Sequence, residues 1–584
     1  RDLADQTLPV LRRKDIVYVP DRFRTYSVDW LENIQDWCIS RQIWWGHRIP
    51  VWTCQDCGEV IVQVDPPAGC GACNSDCLEQ DPDVLDTWFS SALWPFSTMG
   101  WPEKTEDLKV YYPTDLMITG RDILYLWVVR MEMTALEFVE EIPFKTVLVH
   151  PTVQTRDGRR MSKSLGTGVD PRELIEHYGA DATRLSLLYQ CGSSQDIRFD
   201  AEVVDNHLQD SPVAETCRNF CNKIWNAARF VQMHLEDGGP ALLPEAVVDL
   251  ANRWILSLYN RTVQTVTEAL DAYRFDEASR SLYEFVWDSY CDWYLEMAKV
   301  RLNGDELAAA RTVRAVLVHV LEGILRLLHP MVPFITEALW QELPHRGEAL
   351  VVAPWPVADA ARLDEAAEQE MALIQEVVGA VRNIRGTMRV PPGRRADLLL
   401  KTGSKAAEKT LGEARVYICE LARAEGFQIG EDLARPPASA SAVLADVEVY
   451  VPLVGLIDLE VEKQRLEKEI GGLEKALSGL EKKLSTSVSS TTPTGRRPSM
   501  TTTRCTSSLA GGRRWSRVAS SVAKVRRQAS STAVSAHSAP TARRSSASLA
   551  TAAARVSATR YHPRTWSALP RWSDRRKGET PASA

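Results

Sequence analysis

The chain has 584 residues, of which 45% are hydrophobic and 25% are charged, a profile typical of a water-soluble protein with several domains. No apolar run approaches the roughly 20 residues that a membrane-spanning helix needs, so the sequence argues against a membrane protein. The net charge of −8 is unevenly distributed, because residues 486–584 carry 18 basic and 2 acidic side chains and residues 1–485 carry 51 basic and 75 acidic ones. We therefore interpret these two parts separately.

Residues 1–30 are mixed in character, with a predicted strand at 16–19, and we interpret them as the end of a larger unit. Because the chain begins with Arg1 and no signal peptide, we expect a truncated N-terminus. Residues 31–200 combine short apolar runs with helical periodicity, which predicts an α/β fold. Within it, residues 144–149 predict a buried strand, and the apolar spacing over 122–137 predicts a helix before that strand.

Two Cys-x-x-Cys pairs, separated by 12 residues, predict a zinc site. The four ligands would be the thiolates of Cys54, Cys57, Cys70 and Cys73. The tight turns of such a site would be at Gly58, Gly69 and Gly71. Because every ligand is a thiol, no coordination position stays open and the metal would be structural. The alternative is four unrelated cysteines. The other cysteines of the 12 are mostly isolated, which favours a reducing cytoplasm over a disulfide framework.

A basic segment rich in Ser and Gly follows the predicted strand at 144–149. It reads Arg160-Met161-Ser162-Lys163-Ser164 and precedes a helix expected to begin near Pro171. A lysine and backbone N–H groups in such a loop can stabilise negative charge that develops on a leaving pyrophosphate. A solvated basic surface is the alternative for any single loop of this composition.

From residue 206 to residue 343 the apolar pattern is helical and predicts an all-α bundle. The helices are predicted over 208–235, 249–270, 275–301 and 308–328. Residues 344–455 are mixed, with a helix around 366–385 and strands near 398–400 and 447–451. Leucines then recur every seven residues from Leu459 to Leu480, and Ile470, Leu477 and Leu484 follow the last three of them at an offset of four. This heptad stripe predicts a coiled-coil helix over 456–485, and a globular amphipathic helix is the alternative.

The heptads stop at Ser485, and residues 486–584 are rich in Ser, Thr, Ala and Arg without sustained periodicity. One interpretation is a disordered basic tail that binds nucleic acid. The other, which we favour, is non-native sequence from a shift of reading frame, because the coiled-coil helix needs a partner helix and the tail offers none.

Residues 160–164 resemble the Lys-Met-Ser-Lys-Ser signature of class I aminoacyl-tRNA synthetases, with Arg160 in place of the first lysine. The resemblance implies that Lys163 is the catalytic residue that contacts ATP and pyrophosphate. It also implies ATP-binding roles for Arg160, Ser162 and Ser164. Gly120 and Asp122 resemble the family's Gly-x-Asp element, whose Asp lies near the nucleotide ribose. Capping of the next helix by Asp122 is compatible with that role.

Longer segments resemble the valyl-tRNA synthetases within this family. They are residues 36–50, 86–95, 119–130, 219–230 and 291–296, together with the coiled coil. The resemblance implies that Trp45 and Trp88 line a small apolar pocket for valine, although ordinary core packing would also explain either ring. A pocket of this size cannot strongly reject threonine, a limit that valyl-tRNA synthetases themselves illustrate, so family members carry a separate editing domain.

The family's other signature, His-x-Gly-His, occurs nowhere in the chain. The resemblance therefore implies the C-terminal part of such an enzyme, with residues 1–30 as the end of the insertion that carries editing. The implied fold is the second half of a class I Rossmann-type catalytic domain (31–200) with a zinc-ribbon insertion (54–73). A helical anticodon-binding domain (206–343), a small mixed region (344–455) and a coiled-coil arm (456–485) would follow. We do not expect this chain alone to form valyl-adenylate.

The resemblance implies a valine–tRNA ligase that uses ATP with Mg²⁺, valine and tRNA-Val, and that carries a structural Zn²⁺. We expect a cytoplasmic monomer without membrane contact. The alternatives are an isoleucyl- or leucyl-type synthetase and a tRNA-binding module without catalysis.

Overall fold

The computed structural model describes residues 1–162, 164–192, 196–205, 207–235 and 243–488, and it describes side chains up to residue 479. Residues 489–584 lie outside the described residues, and so do both interpretations of the tail. Among the described helices, none combines the length and the apolar character that crossing a membrane requires.

The first 111 residues form short helices and strands. In chain order they are α1 (Asp2–Arg13), β1 (Val17–Val19), α2 (Arg22–Glu32), β2 (Ser40–Arg41), β3 (Val51–Cys54), β4 (Val60–Val62), β5 (Leu78–Gln80), β6 (Val84–Leu85), α3 (Thr87–Ala92), α4 (Trp94–Ser97) and α5 (Glu106–Tyr111). Strands β4, β3 and β5 form a small antiparallel sheet in that order. This sheet carries the first cysteine pair on and just after β3.

Residues 114–210 continue the α/β architecture. The elements are β7 (Thr114–Gly120), α6 (Val129–Phe138), β8 (Phe144–His150), β9 (Val153–Gln154), α7 (Pro171–Tyr178), α8 (Ala180–Leu188), β10 (Ile197–Arg198), β11 (Glu202–Val204) and β12 (His207–Asp210). Strand β8 confirms the strand predicted at 144–149. The helix predicted over 122–137 starts with a 3₁₀ turn at Arg121–Ile123 and a π-helical turn at Leu124–Val128 before α6 begins.

Strands β1, β8 and β7 form one parallel sheet in that order, with Tyr18, Val147 and Met117 side by side. These three side chains face a core that α1 and α6 cover. The structure therefore packs residues 1–32 into the same α/β unit as residues 114–150, whereas the sequence analysis treated residues 1–30 as the end of a larger unit. A three-residue strand that pairs with a partner far along the chain leaves almost no local pattern, so this packing was not predicted.

The helical bundle follows a short hairpin of β11 and β12, so its first helix begins at Pro212 rather than at Leu208. Its helices are α9 (Pro212–Gln232), α10 (Leu250–Asp271), α11 (Phe275–Glu284), α12 (Leu295–Leu302), α13 (Leu307–Leu328) and α14 (Pro333–Trp340). A π-helical stretch, Phe285–Tyr294, joins α11 to α12. Asp249 caps α10 by accepting hydrogen bonds from the backbone N–H groups of Ala251 and Asn252.

The C-terminal region is a mixed sheet with helices. Its elements are α15 (Glu365–Thr387), β13 (Ala396–Lys401), α16 (Lys405–Glu413), α17 (Arg415–Ala422), β14 (Ala424–Gly430), β15 (Ser439–Val443), β16 (Glu448–Pro452) and α18 (Leu459–Val488), and the strand order is β14-β13-β16-β15. Helix α18 covers the predicted heptads. Leu466 is buried and Arg465 donates to the carbonyl oxygen of Thr387, so the first turns of α18 pack at the end of α15.

Candidate functional site

The two elements that resemble the nucleotide site come together at the carboxyl edge of the parallel sheet. Gly120 ends β7 and lies beside His150, which ends β8. After β7 the chain turns through Asp122, and after β8 it continues into β9 and the basic loop. Ligands of open parallel sheets bind at this edge, outside the carboxyl ends of the strands.

Asp122 lies inside the 3₁₀ turn, and its carboxylate is 3.8 Å from the guanidinium of Arg160. Within the described residues, neither this turn nor the π-helical turn after it has a capping side chain, so capping does not account for Asp122. The Asp122 side chain is 60% exposed and that of Arg160 is 82% exposed. A pair this exposed contributes only about 0–1 kcal/mol, so a ligand can replace it at little cost.

The basic loop begins with a closed turn. Gln154 and Arg160 are bridged across it, and Gly158 adopts the left-handed conformation (φ +85°) that a turn of this kind needs. The hydroxyl of Thr155 donates to Asp157 at 2.5 Å and, as the largest contribution, lowers the pKa of that carboxyl. This turn fixes where the chain enters the signature segment.

The signature segment itself is closed by Ser162 and Thr167. The backbone N–H of Ser162 donates to the Thr167 hydroxyl at 3.1 Å, and the Thr167 N–H donates to the Ser162 carbonyl, also at 3.1 Å. The hydroxyls of Ser162 and Ser164 are 2.8 Å apart. Lys163, the predicted catalytic residue, lies outside the described residues.

A carboxylate that the sequence did not single out joins the two halves of the site. Asp196 accepts two hydrogen bonds from Arg121, at 2.8 and 3.2 Å, and further ones from the Thr152 N–H at 3.1 Å and the Gln154 amide at 2.7 Å. It thereby ties the turn after β7 to β9, which leads into the basic loop. No local pattern marks Asp196, because its partner Arg121 is distant in the sequence.

The two tryptophans predicted to line a pocket have different surroundings. Trp88 is half-buried in the first turn of α3, where its backbone N–H donates to the capping carboxylate of Asp86. Asp86 is buried and also accepts hydrogen bonds from Trp37 and Arg41. Trp45 is 86% exposed, and no ring contact joins it to Trp88 in the described part of the chain. The structure thus anchors Trp88 and leaves the indole of Trp45 in solvent.

The four predicted zinc ligands lie together. All four Sγ atoms are within 4.8 Å of one another, and the pairs Cys54–Cys73 and Cys57–Cys70 are 3.6 and 3.5 Å apart. Tetrahedral zinc with Zn–S bonds of about 2.3 Å requires sulfur atoms about 3.8 Å apart, so this set of donors fits the ion. Within the described residues, no other group of three or more such side chains is arranged to hold a metal.

Two equivalent turns place these cysteines. The N–H of Gly58 donates to the Cys54 carbonyl at 2.9 Å, and the N–H of Asn74 donates to the Cys70 carbonyl at 2.8 Å. Both residues have a left-handed backbone, with φ +77° at Gly58 and +57° at Asn74. The chain bends at Gly69 and turns at Gly71 as the sequence predicted, but Asn74, a residue type that tolerates the left-handed conformation, takes the left-handed position of the second turn.

A model of tRNA synthetases class I (I, L, M and V) matches residues 1–68 and 70–200, and a model of the anticodon-binding domain of tRNA ligase matches residues 252–400. The chain is similar to the valine–tRNA ligase of Carboxydothermus hydrogenoformans, at 46% identity over 80% of this chain and 52% of the relative. It is also 46% identical to the Geobacillus stearothermophilus valine–tRNA ligase, over 78% of this chain and 50% of that protein.

Among solved structures, methionyl-adenylate-bound methionyl-tRNA synthetase of Mycobacterium tuberculosis is 21% identical with a TM-score of 0.45, covering 58% of this chain and 60% of that one. The chain spans about half the length of the curated relatives that it matches.

Proposed function

Since the chain belongs to the valyl branch of the class I aminoacyl-tRNA synthetases, we propose that it is the part of a valine–tRNA ligase that holds the ATP phosphates and the tRNA. The observation that carries the proposal is the 3.8 Å approach of Asp122 to Arg160 at the carboxyl edge of the sheet. The two residues belong to separate family elements, and both side chains are open to solvent and free to meet a nucleotide.

The proposed reaction is adenylyl transfer from ATP to the valine carboxylate, followed by acyl transfer to tRNA. A carboxylate oxygen of valine attacks the α-phosphorus of ATP, the bond to the bridging oxygen breaks, and pyrophosphate leaves with the electron pair. A tRNA 3′-terminal ribose hydroxyl then attacks the valyl carbonyl and releases AMP. Lys163 and Arg160 meet the charge that accumulates on the departing pyrophosphate, so they stabilise the transition state more than bound ATP. Asp122 receives the ribose, and Mg²⁺ would accompany the phosphates.

The test joins residues 1–488 of this chain to the preceding part of the Carboxydothermus hydrogenoformans relative and measures valine-dependent exchange of pyrophosphate into ATP. We expect exchange with valine that Lys163→Ala lowers by at least tenfold, and no exchange by the present chain alone. Exchange that depends on isoleucine instead of valine would contradict the valyl assignment.

We further propose that Trp45 closes over the valine side chain against the anchored Trp88. In the joined enzyme, Trp45→Ala should raise the KM for valine. Trp44→Ala is the matched control, because Trp44 is the neighbouring ring and is 96% exposed. Equal effects of Trp45→Ala and Trp44→Ala on the KM for valine would contradict a pocket role for Trp45.

The cysteine cluster is proposed to hold one structural Zn²⁺, supported by the fit of its four sulfur atoms to a tetrahedral ion. Metal analysis of the purified chain should find about one zinc per molecule. Cys54→Ser should lose that zinc, and Cys77→Ser, which changes an exposed cysteine outside the cluster, should keep it. A metal-free wild-type protein after purification with zinc present would disprove the site.

For the remaining parts we propose the roles that the family suggests. The helices within 206–343 bind the anticodon stem of tRNA-Val, residues 344–455 support them, and α18 is the first helix of a coiled-coil arm on the tRNA. Support comes from the family model over 252–400 and from the partly exposed Leu473 and Leu477 on α18. The enzyme is proposed to act as a monomer in the cytoplasm.

A further inference from the structure

Five arginines lie where hydrogen bonds join the end of α15 to the start of β13 and the turn before β14, and we call them the arginine patch. They are Arg385, Arg389, Arg394, Arg395 and Arg423. Residues 377–396 contain four members of the patch and Arg382 but no acidic residue, within a part of the chain where acidic residues outnumber basic ones by 75 to 51. Such a concentration of one charge needs a physical explanation.

Backbone carbonyl groups orient several of these side chains. Arg385 donates to the carbonyl oxygen of Arg394 at 2.6 Å, and Arg394 donates to that of Gly455, also at 2.6 Å. Arg395 is aligned by the carbonyl of Ala424 at 3.4 Å. A carbonyl dipole fixes the direction of a guanidinium but leaves its full charge in place, so the patch is ordered without being neutralised.

Few carboxylates balance the patch. Arg395 pairs with Glu420 at 2.7 Å. For the other four arginines, the described part of the chain places no carboxylate within ion-pair distance. Arg385 is only 7% exposed, and its Nη1 has no hydrogen-bond partner among the described residues. Burial, and to a lesser degree the charge of Arg423, lowers the pKa of Arg385, but an arginine remains cationic.

Two members of the patch place their positive charge at the surface. Arg389 and Arg423 are exposed and sit at left-handed turn positions, with φ +52° and +53°. Guanidinium groups on such turns can form two parallel hydrogen bonds to a phosphate, and the buried charge of Arg385 behind them adds to the local positive potential. The anticodon-binding family model, which ends at residue 400, includes four of the five arginines.

We propose that the arginine patch is a contact surface for the phosphate backbone of a structured RNA, which is the tRNA substrate if the proposed function holds. The contact positions the RNA and does not read its bases, because guanidinium groups on phosphates carry no sequence information. We therefore expect binding at this surface to depend on salt concentration and not on the RNA sequence.

The experiment measures binding of the full chain to a valine tRNA transcript and to an unrelated RNA hairpin at several salt concentrations. The test variant is Arg389→Gln/Arg423→Gln, which removes two charges and keeps long polar side chains. The control is Arg311→Gln/Arg346→Gln, which removes the same charge from two other exposed arginines. The basic tail is identical in all three proteins, so its contribution cancels.

We expect the test variant to bind both RNAs about tenfold more weakly near 0.15 M salt. The slope of the logarithm of the association constant against the logarithm of the salt concentration should become shallower by about 1.4 to 1.8, since each of the two lost phosphate contacts contributes about 0.7 to 0.9. The control should stay within twofold of wild type. Equal losses in the two variants, or an unchanged slope in the test variant, would overturn the proposal. Failure of valine activation in the joined enzyme would leave this slope difference unaffected, so the two proposals fail separately.

Discussion

Helices α10 and α13 meet through side chains that water does not reach, such as Ile255, Leu321 and Ile324, whereas the Arg160–Asp122 pair at the carboxyl edge of the parallel sheet lies mostly in solvent. Each buried aliphatic side chain in such a bundle stabilises the fold by about 2 to 5 kcal/mol relative to Ala. The exposed ion pair contributes about 0 to 1 kcal/mol. The buried contacts of the bundle therefore hold the fold together, whereas a ligand can replace the exposed Arg160–Asp122 pair at little cost.

The largest effect is expected where the bundle helices touch. Gly323 on α13 faces Tyr259 on α10 so closely that a Cβ would lie 2.0 Å from the tyrosine oxygen. Because Tyr259 is buried, it cannot move aside freely, and Gly323→Ala should lower the free energy of unfolding by about 3 kcal/mol or more. Urea unfolding followed by circular dichroism measures this.

The control is Gly379→Ala on α15. Nothing lies within 4 Å of a Cβ at that position, so alanine should raise stability by up to about 1 kcal/mol through its higher helix propensity. A destabilisation of similar size in both variants would mean that close helix contact is not what distinguishes the bundle.

A buried acid in the α/β unit should make its stability depend on pH. The hydroxyl of Tyr18 donates to Glu132 Oε1 at 2.5 Å, while Oε2 has no partner among the described residues. Burial raises the pKa of Glu132 to about 8. The folded state therefore binds more protons than the unfolded state between about pH 4.5 and 8, and stability falls as pH rises through that window by up to about 1.4 kcal/mol per pH unit.

Urea unfolding between pH 5 and 8 should show this decline in the wild-type chain and a smaller slope in Glu132→Gln. Glu137→Gln, on an exposed part of α6, should keep the wild-type slope. If Glu132→Gln is as pH-dependent as wild type, another group causes the effect.

The helices of the bundle could be predicted from the sequence, whereas the contacts at the edge of the parallel sheet could not. The bundle helices α10 and α13 were placed within one residue at each end, because buried positions repeat with the helical period over about 20 residues. The four cysteines and the signature segment were found because their information is local in the sequence. The contact of Arg121 with Asp196 and the burial of Glu132 were not found, since both depend on tertiary packing, and glutamate is an ordinary helix residue.

The link that Asp196 makes between the turn after β7 and strand β9 can be tested by substitution. Asp196→Asn keeps the shape but removes the charge that Arg121 contacts twice, so the link between the turn after β7 and β9 should weaken by about 1 to 2 kcal/mol. Hydrogen exchange should then become faster in residues 152–162 and remain unchanged in α10 and α13. Faster exchange throughout the chain would indicate general destabilisation instead of local coupling.

The smallest effect on stability and the clearest effect on function are expected at Arg160. Its partner Asp122 is 60% exposed, so Arg160→Ala should change the free energy of unfolding by less than about 0.5 kcal/mol. In the joined enzyme the same substitution should lower the rate of pyrophosphate exchange by at least tenfold, because the role proposed for Arg160 is to place positive charge where the leaving group gathers negative charge. Arg160→Lys should recover most of the rate, since the charge and not the guanidinium shape is required. If the free energy of unfolding fell by as much as the activation free energy of pyrophosphate exchange rose, the exposed pair would support the fold. The contrast with the bundle would then not hold.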